Sequence, residues 1–349
     1  MFTDLDEYPT HQIVAPHGTV SVDSPGWTDR YYFSCFCPDG SVVLHMGVGV
    51  FPNLRLVEAW SCSVVHEKGR YFQINVRPSA SYDGSPWPLR AGPLSFELVA
   101  PQRRWRIVLD ESPYGASFEL ELDFVGNLFE AAPVLVKRRD GTAVTHTTHY
   151  VQLGGGRGSA RIDGHDYRLE DLVVFRDRSW GIRSPGEGGP SRGLLNWVPV
   201  RFGERGFCYY LIEREDGSSA YMSGGLLGAK RDTRIESIRH DLEFEPGTRI
   251  FKQGRLTMRL DNDESLEMSV RKLTSLYLKG GGYFKGGHGV ERRGAHVEGE
   301  RWDLTSLDRQ QELLALNDNI SEFRLADGTV GYGVFELSMG RYPRYGFTS

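Results

Sequence analysis

Apolar residues recur at every second position through much of this chain. Residues 117–124 show it most clearly: Phe118, Leu120, Leu122 and Phe124 alternate with Glu119, Glu121 and Asp123. Successive side chains on a strand point to opposite faces, so this pattern predicts a half-buried strand with one wet face. The same style predicts strands over 31–37, 41–51, 54–66, 70–77, 94–100 and 105–110, with Asp39-Gly40 and Lys68-Gly69 as turns. It returns over 207–213, 219–227, 235–244, 254–260, 266–278 and 329–337, with a turn at Asp216-Gly217. Forty-two glycines in 349 residues exceed the roughly 7% that is usual, as many tight turns require. One short helix is expected at 306–316, behind a Thr305 or Ser306 cap, as a connector. The expected fold class is all-β.

The length corresponds to about two domains of roughly 150 residues each. The halves also resemble one another. Tyr31-Tyr32, Asp39-Gly40 and Met46-Gly47 match, in order, Tyr209-Tyr210, Asp216-Gly217 and Met222-Ser223-Gly224. Gly155-Gly156-Arg157-Gly158, Ile162-Asp163-Gly164 and Tyr167 match Gly286-Gly287-His288-Gly289, Val297-Glu298-Gly299 and Trp302. This reads as two related β units, each a strongly bent sheet or barrel, packed side by side. The Pro/Gly/Ser-rich stretch 184–192 predicts the boundary, giving domains 1–186 and 187–349.

Several function classes are excluded. Forty-six acidic against forty-one basic residues, a net charge of -5, supply no basic face for nucleic acid. The short clusters Arg103-Arg104 with Arg106 and Lys137-Arg138-Arg139 read as solvated strand ends or turns. No apolar run approaches the roughly 18 residues of a membrane span, and the acidic N-terminus does not read as a signal peptide. Cys35, Cys37, Cys62 and Cys208 lack metal-ligand spacing and read as buried free thiols of a cytoplasmic protein. GxSxG and HExxH motifs are absent. The glycine-rich stretch 280–289 lacks the Lys-Ser/Thr ending and following helix of a phosphate loop, so its glycines read as bulges and close backbone approaches. Its Tyr283 and His288 are candidates to line a site. Neither a metal nor a cofactor is expected.

Two segments carry candidate chemistry. In 176–183, one acid, one Trp and three Arg crowd into eight residues before the expected boundary. On a strand, Asp177 and Ser179 face one way, Arg178 and Trp180 the other. Burial beside apolar surface would raise the Asp177 pKa and let it hold a proton. A salt-bridged strand end with Trp180 as an inter-domain plug explains the same residues. In 146–152, His149 and Val151 share one face, while His146, Thr148, Tyr150 and Gln152 share the other. That spacing is wrong for two histidine ligands, but His149 suits an acid/base or a partner of Asp177.

Trp27-Thr28-Asp29-Arg30-Tyr31-Tyr32-Phe33, His149-Tyr150-Val151-Gln152, Arg176-Asp177-Arg178-Ser179-Trp180-Gly181 and the Gly-Tyr to His288-Gly289 segment resemble the carotenoid 1,2-hydratase (hydroxyneurosporene synthase) and AttH-like superfamily, in order along most of the chain. The resemblance implies two tandem lipocalin-like β-barrel or bent-sheet domains with a short connecting helix, and no redox cofactor. It implies hydration or dehydration, isomerisation or cyclisation of a hydrophobic isoprenoid, steroid-like or polyketide-like molecule. Asp177 would donate the proton, and His149 or His288 would place or deprotonate water. Trp180, Tyr150, Gln152, Arg178 and Tyr283 would bind the substrate. The chain departs from the family in having Asp177-Arg178 where Asp-His is common, and Val151 where an acid is expected. Arginine keeps its charge and cannot act as a base, so Arg178 would anchor an anionic group instead. The alternative is a non-catalytic lipocalin-type binder or carrier. Expected partners are a hydrophobic small molecule, with no nucleic acid and no integral membrane segment; a homodimer stays open.

Overall fold

The computed structural model describes every residue except 1, 10, 12, 15–18, 21–23, 85–88, 127, 138–142, 184–191, 229–232, 285–286, 291–294 and 349. All but the last residue of the expected boundary, Arg138-Arg139, and Lys285-Gly286 fall outside the described residues.

The chain is all-β, built as two tandem lipocalin-like sheets with one short α-helix. The first sheet has thirteen strands. Its main path runs His296–Asp303, Arg70–Ser81, Leu56–Glu67, Val42–Phe51, Trp27–Phe36, His165–Ile182, Ala143–Ile162, Ala116–Phe124, Arg104–Leu109, Leu94–Ala100 and Leu89–Ala91. Phe129–Glu130 and Val134–Lys137 pair with Ala143–Ile162 off this path. Every pairing in it is antiparallel, as short turns between sequential strands allow. The sheet folds over on itself, so Ile74 and Val76 from one end share a core with Leu94, Phe96 and Trp105 from the other. The alternation at 116–124 becomes that core: Phe118, Leu120, Leu122 and Phe124 are buried, and Glu119 and Glu121 are exposed. Fully burying each such side chain contributes about 1.5–3 kcal/mol, which makes the inward face the stable one.

A long hairpin, Ala143–Ile162 turning at Asp163-Gly164 into His165–Ile182, forms the spine of this sheet. A side chain at Gly158 would sit 2.0 Å from the Glu119 carbonyl oxygen, so only glycine lets the spine lie so close to its neighbour. A register shift between Gly156 and Gly158 marks the bend.

The second sheet has eight strands in the order Ser219–Leu227, Arg205–Glu213, Leu194–Phe202, Val330–Met339, Asn317–Leu325, Ser265–Tyr277, Phe251–Leu260 and Ile235–Phe244. A bridge between Gly225 and Arg234 brings its two ends together. Its interior holds Val200, Phe207, Met258, Phe323 and Phe335. The helix, Leu307–Leu313, begins at the Ser306 cap, which accepts from Arg309 N, and connects two strands as expected. Strand His296–Asp303 lies late in the chain but pairs with Arg70–Ser81, so the second half lends a strand to the first sheet. A third apolar cluster, with Phe36, Phe175, Cys62, Leu276, Ile320 and Val334, fills the junction between the sheets.

Candidate functional site

Residues directly opposite in antiparallel strands share a face, so each row across a sheet is a surface. One row of the first sheet reads Val151, Asp177, Tyr32, Gly47, Trp60. The next reads His149, Ser179, Arg30, Gly49, Glu58. In the second sheet one row reads Ser223, Tyr210, Trp197, Glu336, Asp318, Leu276. These rows meet at the junction. The Tyr32 hydroxyl donates to Asp318 Oδ2 at 2.6 Å. The Tyr32 and Trp197 rings meet edge to face at 5.6 Å, and His149 meets Tyr210 at 6.0 Å. Tyr32, Asp177, Tyr210, Tyr221, Tyr283 and Glu336 are partly exposed here, so the space between these rows, the cleft, is not fully sealed from solvent.

The cleft contains a cross-strand pair of carboxyls, Asp318 and Glu336. Asp318 is wholly buried and also lies 2.8 Å from His45 Nδ1, whose Nε2 is 2.7 Å from Ser34 Oγ. Two such carboxyls side by side cannot both ionise without a large Coulomb penalty. Burial first, and then the Asp318 charge, push the Glu336 pKa well above the usual carboxylate range. Glu336 therefore holds its proton while Asp318 takes the donors from Tyr32 and His45. This arrangement separates an acid from a charge in one small site.

Across the cleft, Asp177 Oδ2 lies 3.2 Å from His149 Nδ1. His149 Nε2 is buried and has no hydrogen-bond partner among the described residues. A carboxylate that holds one ring nitrogen leaves the other available to take a proton. Burial raises Tyr210 and pushes Tyr221 up to about 12, so both remain neutral phenols.

The rim is built by the glycine-rich stretch. Tyr283 packs against Trp60 at 5.6 Å and against His288 at 5.0 Å, and Arg30 lies over its ring at 5.4 Å. His288 Nδ1 is 3.5 Å from Glu58 Oε2, which also accepts from Gly289 N at 2.9 Å. Burial pushes the His288 pKa down to about 4, with Arg30 and Arg183 acting in the same direction. A side chain at Gly281 would come 2.8 Å from Trp60 Cε3, and one at Gly47 would come 2.7 Å from Trp60 Nε1. The glycines thus serve a close backbone approach that clamps one indole. Among the described residues no group of three or more His, Cys, Asp or Glu side chains could hold a metal ion.

Of the expected site residues, Asp177, His149, Tyr283 and His288 face this cleft. Tyr150, Gln152, Arg178 and Trp180 lie on the opposite face of the same strands, which corrects the expectation that Trp180 walls Asp177 and that Arg178 anchors a ligand beside it. The N-terminal segment occupies Arg178, Trp180 and Tyr150, while Gln152 is held within the sheet. Arg178 pairs with Asp29 at 2.6 Å and donates to the backbone oxygens of Asp6 and Tyr8. Trp180 stacks on His11 at 3.9 Å. Tyr150 donates to Glu7 at 2.8 Å, and Gln152 accepts from Arg176 at 2.9 Å. The residues not anticipated are Trp60, Trp197, Asp318 and Glu336. Tyr32 and Tyr210 were visible as the second tyrosine of each repeated Tyr-Tyr pair, though not as site residues.

The chain has relatives by sequence and by fold. A family model described as a family of unknown function (DUF8625) matches residues 2–348. No curated protein matches. Among solved structures, an AttH-type protein of Nitrosomonas europaea superposes with a TM-score of 0.59 at 12% identity, over 93% of each chain. Kievitone hydratase of Nectria haematococca superposes with a TM-score of 0.53 at 11% identity, over 95% of this chain and 93% of that one. CghA superposes with a TM-score of 0.50 at 11% identity, over 95% and 93%. The tandem lipocalin-like fold implied by the sequence resemblance is the fold of these proteins.

Proposed function

The chain belongs to the DUF8625 family, and we propose that it is a cofactor-independent enzyme that protonates a hydrophobic small molecule held between its two sheets. The reaction class is hydration or dehydration, isomerisation or cyclisation of an isoprenoid, steroid-like or polyketide-like compound. Kievitone hydratase, whose name states a hydration, shares the fold and supports this class. The observation that carries the reading is the Glu336–Asp318 pair set opposite the Asp177–His149 pair.

In a hydration, Glu336 gives its proton to one alkene carbon; the π bond breaks and a C–H bond forms. The cation left on the other carbon faces the rings of Tyr32, Trp197 and Tyr210, each contributing up to about 2 kcal/mol when desolvated. Water adds through oxygen to that carbon and passes a proton to His149 Nε2, while Asp177 holds Nδ1–H. The imidazolium then returns its proton through solvent to the Glu336 carboxylate. With water kept out, the same cation loses a proton or closes a ring. Asp177 so takes the positioning role, because it is committed to His149, and Glu336 takes the role of donor. On this reading the chain divides into domains 1–186 and 187–349, with 296–303 lent back to the first.

The test is incubation of the protein with a lipophilic cell extract in ¹⁸O-water, followed by mass spectrometry. We expect a product heavier by one labelled water, a product lighter by one water, or a new species of unchanged mass. Glu336→Gln should lower its rate by about 10²–10⁴, as loss of a general acid does. The wild-type rate should fall as pH rises through the raised Glu336 pKa. If nothing converts, and one compound is retained equally by both proteins, the chain is a carrier and the proposal fails.

A further inference from the structure

We propose that the second barrel holds a ligand of its own, a small apolar ring bearing one hydroxyl or amine N–H, at a site separate from the cleft. A cavity of about 370 Å³ opens inside this barrel beside the end of the helix Leu307–Leu313. Pockets for small molecules begin at about 300 Å³. The cavity uses the other face of the strands that build the cleft. Asn317 and Leu337, directly opposite each other, line it, whereas Asp318 and Glu336, one residue along, face the first sheet.

Its chemistry follows from which polar groups are already engaged. Asn319 accepts from Ser275 Oγ at 2.7 Å and donates to Phe335 O at 2.9 Å. The Tyr277 hydroxyl donates to Gln310 at 3.1 Å, and Gln311 accepts from Arg249 N at 2.9 Å. The Arg249 guanidinium donates to Met339 O and Gly340 O and lies 5.0 Å from the Phe347 ring centroid, so its charge is spent on the wall rather than on an anion. Asn317 differs: it is 6% exposed, and its Oδ1 is buried with no partner among the described residues. Leaving such an acceptor unmet costs about 1–3 kcal/mol. Ile250, Phe251, Leu314, Ala315, Leu337 and Met339 supply the apolar part of the lining. One unmet acceptor, set among apolar walls and polar groups that have partners in the wall, selects a ligand with one donor and an apolar body.

The probes are 1-naphthol and naphthalene, measured by equilibrium dialysis. Wild type should bind both, 1-naphthol the more tightly. Ala315→Trp, which fills the cavity, should weaken both at least about tenfold. Asn317→Leu should weaken 1-naphthol about tenfold and leave naphthalene within about twofold. Ala315→Trp should leave turnover in the cleft unchanged, which separates this site from the cleft. If Ala315→Trp loses its fold by circular dichroism, Ala315→Leu carries the same test. Binding undiminished by the filling variant, an Asn317→Leu effect equal for both probes, or no binding to wild type would each overturn the proposal; the last means that water alone satisfies Asn317.

Discussion

At the scale of single residues, chemistry was legible where a reactive side chain sat on a clear strand. Asp177 and His149 could be named because alternation put each on a defined face. Asp318 and Glu336 could not, because each is one acid among forty-six and only strand register makes them neighbours. Trp180 misled for the opposite reason: it lies near Asp177 in sequence, but a separation of three residues on a strand means opposite faces. His288 gives a prediction at this scale. Its folded pKa of about 4 lies below the ordinary histidine value of 6.5. Between those values the unfolded chain binds a proton that the folded chain refuses, so stability falls as pH drops from 6.5 and levels off near 4. Urea midpoints for wild type should therefore drop more between pH 7 and pH 5 than those of His288→Gln. Equal drops would show that His288 titrates freely in the folded protein.

At the scale of elements, strands 94–100, 219–227 and 235–244 run as expected, because turn residues such as Gly92, Gly217, Gly228 and Gly247 bound them. The spine hairpin was seen only as fragments, since Gly154 to Gly158 removes the apolar beat that marks a strand. The 3₁₀ turn Asp4–Glu7 was missed altogether, yet it plugs the first barrel. Its Glu7 is wholly buried, donates no charge to water, and meets Arg176 in a two-point ion pair, with Arg176 Nη1 to Glu7 Oε2 at 2.7 Å. Burial opposes ionisation, but Arg176 outweighs it and holds Glu7 below the ordinary glutamate value of 4.5. This contribution is therefore present above that pH and lost as pH falls through the lowered pKa. Glu7→Gln should destabilise the protein by about 3–5 kcal/mol, because it strands a buried guanidinium. The double replacement Glu7→Leu with Arg176→Met should recover most of that loss in chemical denaturation. No recovery would mean that the turn is held by its backbone bonds, such as Tyr31 to Glu7 O, rather than by the pair.

At the scale of the whole molecule, two β units were legible from the Tyr-Tyr, Asp-Gly and Met hairpin that each half repeats. The second match of the repeat instead paired the spine hairpin with a rim loop and with a strand of the same first sheet, and the exchange of that strand between halves was not legible. His296–Asp303 follows the rim loop and pairs by backbone bonds, which have no compositional signature. Residues 1–186 expressed alone would expose the edge of Arg70–Ser81 together with Phe36, Val43 and Phe175. Such an edge recruits other chains, so this fragment should aggregate where the full chain stays dispersed. Light scattering of the two at equal concentration checks this. The full chain should unfold in one step, with tryptophan fluorescence and far-ultraviolet circular dichroism superimposing. Two resolved steps would show that the units fold separately.

The two chemical pairs stand on different sheets, and no bond within either sheet fixes the gap between them. Phe36, Phe175, Ile320 and Val334 act as shims in that gap. Trimming or thickening one shim would retune the distance from acid to base while leaving both untouched. A lineage carrying this architecture could move from one substrate to another by adjusting its spacers, long before it had to replace its reagents.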